Sequence, residues 1–188
     1  MEKVELHPQI FTLFPALKAH KCADYIEQTE ARGYGAAPIT TAFGPRLIPE
    51  IRDNTRVMVD DPSSAGDLYE QIGYALPRSW HDHSPTGLNE RFRFYRYRQG
   101  QAFRWHRDGA FVRNTNQRSA FTVMVYLNDG FEGGATEFDL AEGKLRVVPR
   151  AGMALVFEHR LRHQGAPITS GTKYVLRTDA MYMRQPGR

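Results

Sequence analysis

The second half of the chain is dense in short segments typical of β-strands. Apolar, aromatic and β-branched residues recur in runs at 91–98, 103–108, 119–128, 136–138, 144–149, 153–157 and 174–183, with turn-forming residues between them. Runs spaced roughly 8–12 residues apart are typical of a β-sandwich or barrel. We therefore expect about seven or eight short strands here, arranged as a sandwich or jelly roll.

Residues 1–90 have a different character. Apolar residues at helical spacing predict one helix over 19–32 and a second over 68–76. A short strand is expected within 52–62, and the stretch 78–90, rich in turn formers, is expected to be a loop. This half therefore predicts helices and irregular structure that support the strands.

The length and composition fit one globular domain. The chain has 188 residues, of which 41% are hydrophobic, and it shows no repeat, linker or low-complexity segment. We expect a single domain over 1–188, with variable support at 1–90 and a β-rich core at 91–183. The expected fold class is mainly β with flanking helices (α+β).

Charge and cysteine content bear on the partners and the cellular compartment of the protein. A formal net charge of +4 fits acidic ligands but does not by itself predict nucleic acid as a partner. Cys22 is the single cysteine, so no intramolecular disulfide is possible. No signal peptide or transmembrane run is visible, and we expect a reducing, cytoplasmic setting without a membrane partner.

A histidine and a carboxylate end one of the predicted strands. His106 and Asp108 are two residues apart, which places both on one face of an extended strand. A second histidine, His163, follows a later predicted strand and turn. Two histidines and one carboxylate form the facial triad that holds non-haem Fe(II), so these three residues are candidate iron ligands.

Two other pairs of histidines have spacings that occur in metal sites. His159 and His163 have the spacing of a zinc-protease helix, but that motif needs Glu after the first histidine, and Arg160 stands there. Their flanking sequence also predicts a strand rather than a long helix. His81 and His83 lie in the predicted loop without a third ligand nearby, and we expect them to be exposed.

At this point the chain resembles the Fe(II)/2-oxoglutarate-dependent oxygenases, and within them the prolyl 4-hydroxylase-like group, over roughly residues 91–183. The resemblance is carried by Tyr97-x-x-Gly100-Gln101-x-Phe103-x-x-His106-x-Asp108, Val125-Tyr126-Leu127-Asn128, Gly133-Gly134-x-Thr136-x-Phe138, Pro149-x-x-Gly152-x-x-Leu155-x-Phe157, His163-x-Gly165-x-Pro167 and Gly171-Thr172-Lys173-Tyr174. It implies a double-stranded β-helix, or jelly roll, backed by N-terminal helices.

The resemblance also implies roles for individual residues. His106, Asp108 and His163 would be catalytic as iron ligands, and Lys173 would pair with the distal carboxylate of 2-oxoglutarate. Tyr97 and Tyr126 match positions whose hydroxyls line the cosubstrate pocket.

Arg177 lies four residues beyond Lys173, on the same face of the same predicted strand. It is either a second contact to the cosubstrate or part of a structural ion pair with Asp179 or Glu137.

The implied activity is hydroxylation of an unactivated C–H bond with Fe(II), 2-oxoglutarate and O₂, with ascorbate as a candidate reductant. A proline of a peptide or protein is one candidate target, and a small molecule such as a free amino acid is the alternative. A jelly roll that binds metal without turnover is a further alternative.

The substrate is the part that the sequence leaves open. The loops 78–90 and 109–118 are candidate lids. Six arginines surround the dyad in sequence and either attract an acidic substrate or form a solvated face: Arg93, Arg96, Arg98, Arg104, Arg107 and Arg113.

Overall fold

The computed structural model describes residues 1–41 and 43–185. Its strands in chain order are β1 (Glu2–His7), β2 (Ile10–Phe14), β3 (Gly35–Ala36), β4 (Ile39–Thr41), β5 (Gly44–Arg46), β6 (Thr55–Asp60), β7 (His83–Leu88), β8 (Arg91–Arg98), β9 (Phe103–His106), β10 (Gln117–Tyr126), β11 (Glu132–Gly133), β12 (Thr136–Leu140), β13 (Gly143–Val147), β14 (Ala154–Glu158), β15 (His163–Gly165), β16 (Ile168–Ser170) and β17 (Thr172–Arg184). The α-helices are α1 (Ala19–Arg32) and α2 (Pro62–Ile72), and a 3₁₀ turn, Gly73–Ala75, follows α2.

The described strands form two principal antiparallel sheets. The major sheet has the order β1-β2-β14-β10-β17-β8-β6-β3, and β7 also pairs with β17. The minor sheet has the order β13-β12-β15-β9. Two short ladders, β11–β16 and β4–β5, complete the strand pairing. This is the double-stranded β-helix that the sequence predicts.

Strand β8 shows how the sequence divides the core into two layers. Phe92 and Phe94 pack into a cluster with residues of α1, α2 and the far face of the major sheet. Tyr95 and Tyr97 belong to a second cluster with Phe138 of the minor sheet. Because alternate side chains of a strand point to opposite faces, β8 separates a helix-covered layer from the interior between the sheets.

One helix matches its predicted position, and the other, predicted over 68–76, is displaced toward the N-terminus and ends at Ile72. Helix α1 spans Ala19–Arg32, as expected. Helix α2 begins earlier than predicted, at Pro62, because the Asp61 side chain accepts a 2.9 Å hydrogen bond from the backbone N–H of Ser64. Neither helix of the described chain combines the length and hydrophobicity needed to span a membrane.

The first half contains more strand than predicted. Five of its strands, β1, β2, β3, β6 and β7, join the major sheet. The predicted loop 78–90 contains β7, where Pro85 lies opposite Tyr182 of β17 next to an irregularity in the register. A proline is tolerated there because β7 pairs with only one neighbouring strand.

Candidate active site

Strand register brings the three predicted ligands together. His106 ends β9 and His163 begins β15, and the two residues lie directly opposite each other in the antiparallel pair. Asp108 follows β9 by two residues, with its Oδ1 3.7 Å from Nε2 of His106 and its Oδ2 3.6 Å from Nε2 of His163. One ligand atom of each residue lies within 4.8 Å of the other two, which is close enough for one metal ion to bridge them.

Both histidines are oriented by the same local hydrogen bond. Nδ1 of His106 lies 2.7 Å from the carbonyl oxygen of Arg104, and Nδ1 of His163 lies 3.0 Å from that of Leu161. A carbonyl oxygen only accepts, so each Nδ1 carries the proton and each Nε2 keeps its lone pair. Both lone pairs therefore remain available to a metal ion on the side of Asp108.

The charges of the site suit cation binding. Burial, reinforced by the neighbouring His163, lowers the pKa of His106 to about 3, and burial also lowers the pKa of His163. Burial alone would raise the pKa of Asp108, but the charge of Arg177 and both histidines hold it well below its usual range. At neutral pH the cluster consists of two neutral imidazoles and one carboxylate.

A chain of hydrogen bonds supports Asp108 from behind. Thr122 Oγ1 donates to Asp108 Oδ2 at 2.6 Å, and it lies 2.9 Å from Nδ1 of His159. Nε2 of His159 lies 2.8 Å from Ser119 Oγ, which accepts from the backbone N–H of Phe111. Because Thr122 gives its only proton to Asp108, His159 donates through Nδ1 and accepts at Nε2.

His159 is therefore a support of the candidate metal site and not a member of its ligand cluster. The sequence pointed to His159 only through its spacing to His163. Another signal lies in β10, where Thr122 interrupts an apolar run that Ser119 precedes, and both residues are fully buried. Buried hydroxyls need hydrogen-bond partners, and His159 provides them.

Lys173 lies in a narrow pocket that also contains the three candidate ligands. The residue is 2% exposed, and its Nζ donates a 2.6 Å hydrogen bond to the carbonyl of Gly134. Burial lowers the pKa of Lys173 to about 7. No carboxylate forms a salt bridge with it within residues 1–41 and 43–185, so an anion in the pocket would find an unpaired cation.

Gly134 makes this close approach possible. Its φ of +61° favours glycine, and a Cβ at this position would lie 2.3 Å from Ile168 Cδ1 and 3.3 Å from Lys173 Cδ. Any larger residue would displace the lysine or the isoleucine. The Gly133-Gly134 pair of the sequence motif thus shapes the base of the pocket.

The two predicted tyrosines differ in position. Tyr97 lines the pocket, and its ring centroid lies 5.4 Å from Lys173 Nζ. Tyr126 is fully buried behind the pocket wall, with its hydroxyl 2.8 Å from Oγ1 of Thr136, a wall residue. Tyr126 therefore supports Thr136, and its ring centroid lies 5.2 Å from Lys173 Nζ, while its contact with the cosubstrate stays a prediction.

Arg177 forms the ion pairs that the sequence offered as its alternative role. Its Nη2 lies 3.2 Å from Asp179 Oδ1 and 3.1 Å from Asp108 Oδ1. These carboxylates raise the pKa of Arg177 above its usual range despite burial, so the guanidinium remains charged. Glu137, the other predicted partner, instead accepts from Gln164.

A wider cleft opens on the other side of the candidate ligands. It has a volume of about 630 Å³, and its walls include His106, Asp108 and the start of the predicted lid 109–118. None of its wall residues comes from 78–90. Nδ1 of His83 lies instead 2.7 Å from Oδ1 of Asp82. Neither His83 nor His81 belongs to the ligand cluster.

The arginines that crowd the dyad in sequence are dispersed in the structure. Arg96 pairs with Glu30 and Arg113 with Glu90, while Arg104 donates to the backbone carbonyl of Glu50. Arg93 and Arg107 line the cleft. Three further arginines reach it from elsewhere in the chain, namely Arg52, Arg56 and Arg177.

Comparison with known proteins finds similarity to one enzyme superfamily and to one type of hydroxylase. The family model of the 2OG-Fe(II) oxygenase superfamily matches residues 92–178. A PKHD-type hydroxylase of Acaryochloris marina is 24% identical over 170 residues, which cover 88% of this chain and 75% of the relative. A PKHD-type hydroxylase of Maricaulis maris is 32% identical over 78 residues, which cover 42% of this chain and 36% of the relative.

Solved structures share the fold. A prolyl-4-hydroxylase from Pseudomonas putida superposes with a TM-score of 0.68 at 21% identity, over 94% of this chain and 93% of that one. A Trichoplax adhaerens prolyl hydroxylase, in complex with a peptide fragment of the hypoxia inducible factor oxygen degradation domain, gives a TM-score of 0.73 at 14% identity, over 92% and 83%. Residues 92–178 thus match the 2OG-Fe(II) oxygenase superfamily, and the chain shares the fold of prolyl hydroxylases; these matches support an enzyme that works with Fe(II), 2-oxoglutarate and O₂.

Proposed function

We propose that this enzyme hydroxylates a prolyl residue of a peptide or protein, with His106, Asp108 and His163 as its iron ligands. The donor set fits the metal, since two neutral imidazoles and one carboxylate form the facial triad of non-haem Fe(II) oxygenases. When bound, iron, 2-oxoglutarate and O₂ together supply the oxidising chemistry that hydroxylates an unactivated C–H bond. The protein supplies the position of each group and the exclusion of water.

The observation that carries this proposal is the buried cation in the ligand pocket. Lys173 is 2% exposed and shares the pocket with the three ligands. In the proposal its ammonium pairs with the distal carboxylate of 2-oxoglutarate, and Tyr97 lines the same pocket. Arg177, held between Asp108 and Asp179, is the second cationic contact to the cosubstrate.

A prolyl target is favoured by the relatives of the fold. The solved structures that share the fold include prolyl hydroxylases, one of them bound to a peptide fragment. In the proposal the target reaches the metal through the cleft of about 630 Å³ beside His106. The proposal treats residues 1–188 as one domain in which 1–90 support the catalytic core 91–183. It places the enzyme in the cytoplasm because ferrous iron suits a reducing compartment.

Cosubstrate turnover tests the catalytic part of the proposal. Purified protein with Fe(II), ascorbate and 2-oxoglutarate should form succinate slowly without substrate, and His106→Ala should abolish this turnover. His83→Ala removes a histidine outside the ligand cluster and is the matched control. Equal succinate formation by the wild type and His106→Ala would contradict the assignment of the ligands.

Peptide mass spectrometry tests the target. Proline-containing peptides should gain one oxygen atom in a reaction that requires 2-oxoglutarate. If free proline were hydroxylated and the peptides were unchanged, the substrate would be a free amino acid and not a peptide.

A further inference from the structure

Four arginines form a cationic wall in the cleft beside the candidate iron site. We call Arg52, Arg56, Arg93 and Arg177 the arginine wall, and all four line the cleft together with His106 and Asp108. Two come from residues 51–56, outside the span that the family model matches, and two come from neighbouring strands of the major sheet. Folding therefore collects charges that are far apart in the sequence.

Arg52 is buried, and among the residues that the structure describes no carboxylate pairs with it. It is 7% exposed, its Nε donates a 2.8 Å hydrogen bond to Asn54 Oδ1, and its Nη2 is buried without any hydrogen-bond partner. Its guanidinium carbon lies 4.4 Å from the ring centroids of both Tyr95 and Phe103. These rings fix the plane of the guanidinium and leave a polar edge unused.

Phe103 connects this cation to the candidate metal site. Its ring stacks on that of His106, with a centroid distance of 3.5 Å and an interplanar angle of 14°. Only the thickness of one phenyl ring therefore separates the Arg52 guanidinium from a proposed iron ligand. A group bound by Arg52 would hold the neighbouring part of a substrate next to the metal.

Arg56 adds a second cation that has no acidic partner. It lies opposite Tyr95 in the β6–β8 pair, and no carboxylate forms a salt bridge with it in the described part of the chain. Burial, together with the nearby charges of Arg52, Arg93 and Arg177, lowers the pKa of Arg56. The buried Tyr95 hydroxyl lies next to Arg52 and Arg177 and adds a polar group to this wall.

The ion pairs of Arg93 and Arg177 indicate that the arginine wall binds carboxylates. Arg93 Nη1 lies 3.0 Å from Asp179 Oδ2, and Arg177 pairs with Asp179 and Asp108. Within residues 1–41 and 43–185, carboxylates pair with Arg93 and Arg177, whereas none pairs with Arg52 or Arg56. Buried guanidinium groups are normally paired, and an unpaired one signals a missing anionic partner.

We propose that the substrate presents a carboxylate to Arg52 and Arg56 while its reacting carbon lies at the metal. This inference rests on the proposed function and adds a specificity determinant to it. Guanidinium groups bind carboxylates through two parallel hydrogen bonds, so the contact would fix the orientation of the substrate as well as add affinity. The carboxylate belongs either to an acidic side chain beside the target proline or to the target amino acid itself.

Matched ligand pairs test the charge preference directly. Two pairs of pentapeptides have a central proline and are acetylated and amidated at their ends. In each pair one peptide carries Glu and the other carries Gln at the same position. This position precedes the proline in the first pair and follows it in the second. N-acetylproline and N-acetylprolinamide form the free-carboxylate pair. Binding is measured without turnover on the Mn(II)- and 2-oxoglutarate-loaded protein under anaerobic conditions. Calorimetry reports the affinity, and fluorescence of Trp105, a cleft residue, reports occupancy.

Wild-type protein should bind the carboxylate member of one pair about tenfold or more tightly than its neutral partner. Preference in the pentapeptides identifies an acidic side chain, and preference confined to N-acetylproline identifies the free carboxylate. Arg52→Gln and Arg56→Gln should each remove most of the preference. Arg146→Gln changes the net charge equally at an exposed residue of β13, outside the cleft, and should keep it.

The result that overturns the inference is equal binding of both members of every pair, or a preference that survives in both cleft variants. If Arg52→Gln fails to fold, Arg56→Gln decides, because that side chain is only partly buried. Succinate formation by the wild type separates this test from the proposed function. Succinate formation without a preference for carboxylate ligands would contradict only the role of Arg52 and Arg56. A preference that depends on these arginines, without succinate formation, would contradict only the proposed hydroxylase function.

Discussion

Thr122 donates a 2.6 Å hydrogen bond to Oδ2 of Asp108, and the same hydroxyl accepts from His159. The carboxylate is thereby fixed before a metal ion arrives. Hydrogen bonds of this kind orient metal ligands, and their loss typically lowers metal affinity roughly 10- to 100-fold. Thr122 is thus a positioning residue for the candidate iron site.

Thr122→Val should weaken metal binding by roughly this factor, because valine keeps the shape and removes the donor. Anaerobic calorimetry with Mn(II) measures the affinity without turnover. Thr122→Ser restores the hydroxyl and should recover most of the loss. Wild-type affinity in Thr122→Val would show that Asp108 does not depend on this bond.

Metal binding should stabilise the fold through His106. A ligand at about 100 times its Kd stabilises the folded state by about 2.7 kcal/mol, which corresponds to a rise in Tm of about 5–10 °C in a chain of this length. Mn(II) should produce such a rise in the wild type, and a chelator should reverse it. An equal rise in His106→Ala would place the metal elsewhere.

The affinity for 2-oxoglutarate should fall with rising pH above about 7. The pKa of Lys173 is about 7 before the anion binds, so at higher pH binding must first add a proton to the amine. The Kd should then rise about tenfold per pH unit until the higher pKa of the bound state is reached. Calorimetry of the Mn(II) protein in buffers of different ionisation enthalpy should detect this proton uptake.

Lys173→Arg provides the comparison, because guanidinium stays protonated throughout this range. The Kd of this variant should not show the same dependence on pH. A Kd for the wild type that stays constant between about pH 7 and 9 would contradict the predicted role of the lysine.

Lys173 should lower the stability of the fold at neutral pH. Its folded-state pKa is about 7, below the ordinary value of 10.5, so the unfolded chain binds more protons between these values and stability rises with pH across that window. Lys173→Met should increase the free energy of unfolding by about 2 kcal/mol or more at pH 7 and flatten this pH dependence. Urea denaturation at several pH values measures both effects, and a less stable Lys173→Met would contradict them.

Arg56 should also cost stability. It lies among other guanidinium groups without a carboxylate of its own, and Arg56→Met removes that repulsion. We expect a rise in Tm of about 2 °C, measured by calorimetry without ligands. Arg146→Met is the control for a lost surface charge, and a lower Tm in Arg56→Met alone would show that Arg56 stabilises the fold.

The sequence predicted the ligand cluster because its signals were partly local. The spacing of His106 and Asp108 fixes their common face, and strand pairing only had to bring His163 opposite them. The role of Lys173 came from the family resemblance, and the structure places its side chain in the buried part of β17. The prediction of the ligand cluster needed alternation and order, which a single sequence carries.

The arginine wall could not be predicted in this way. Arg52 and Arg56 belong to the half of the chain without a recognisable motif. Arg56 approaches Arg93 through the pairing of β6 with β8, and Arg52 is placed by its bridge to Phe103. The strand β7 was missed because its Pro85 and Gly87 are turn formers, and only contact with β17 extends them. Tertiary pairing overrides local preference in such segments.

Because His106 and His163 lie directly opposite each other, the geometry of the ligand cluster depends on how β9 and β15 are aligned. In a ladder with a side-chain period of two, a slip of one residue between β9 and β15 would turn one imidazole to the opposite face. Strand β9 is the edge of the minor sheet, with β15 as its sheet neighbour, and the backbone N–H of Arg104 donates on the other side to the carbonyl of Ile51. An ion that binds both imidazoles would add a further constraint to this alignment, because both side chains reach it only when His106 and His163 are paired.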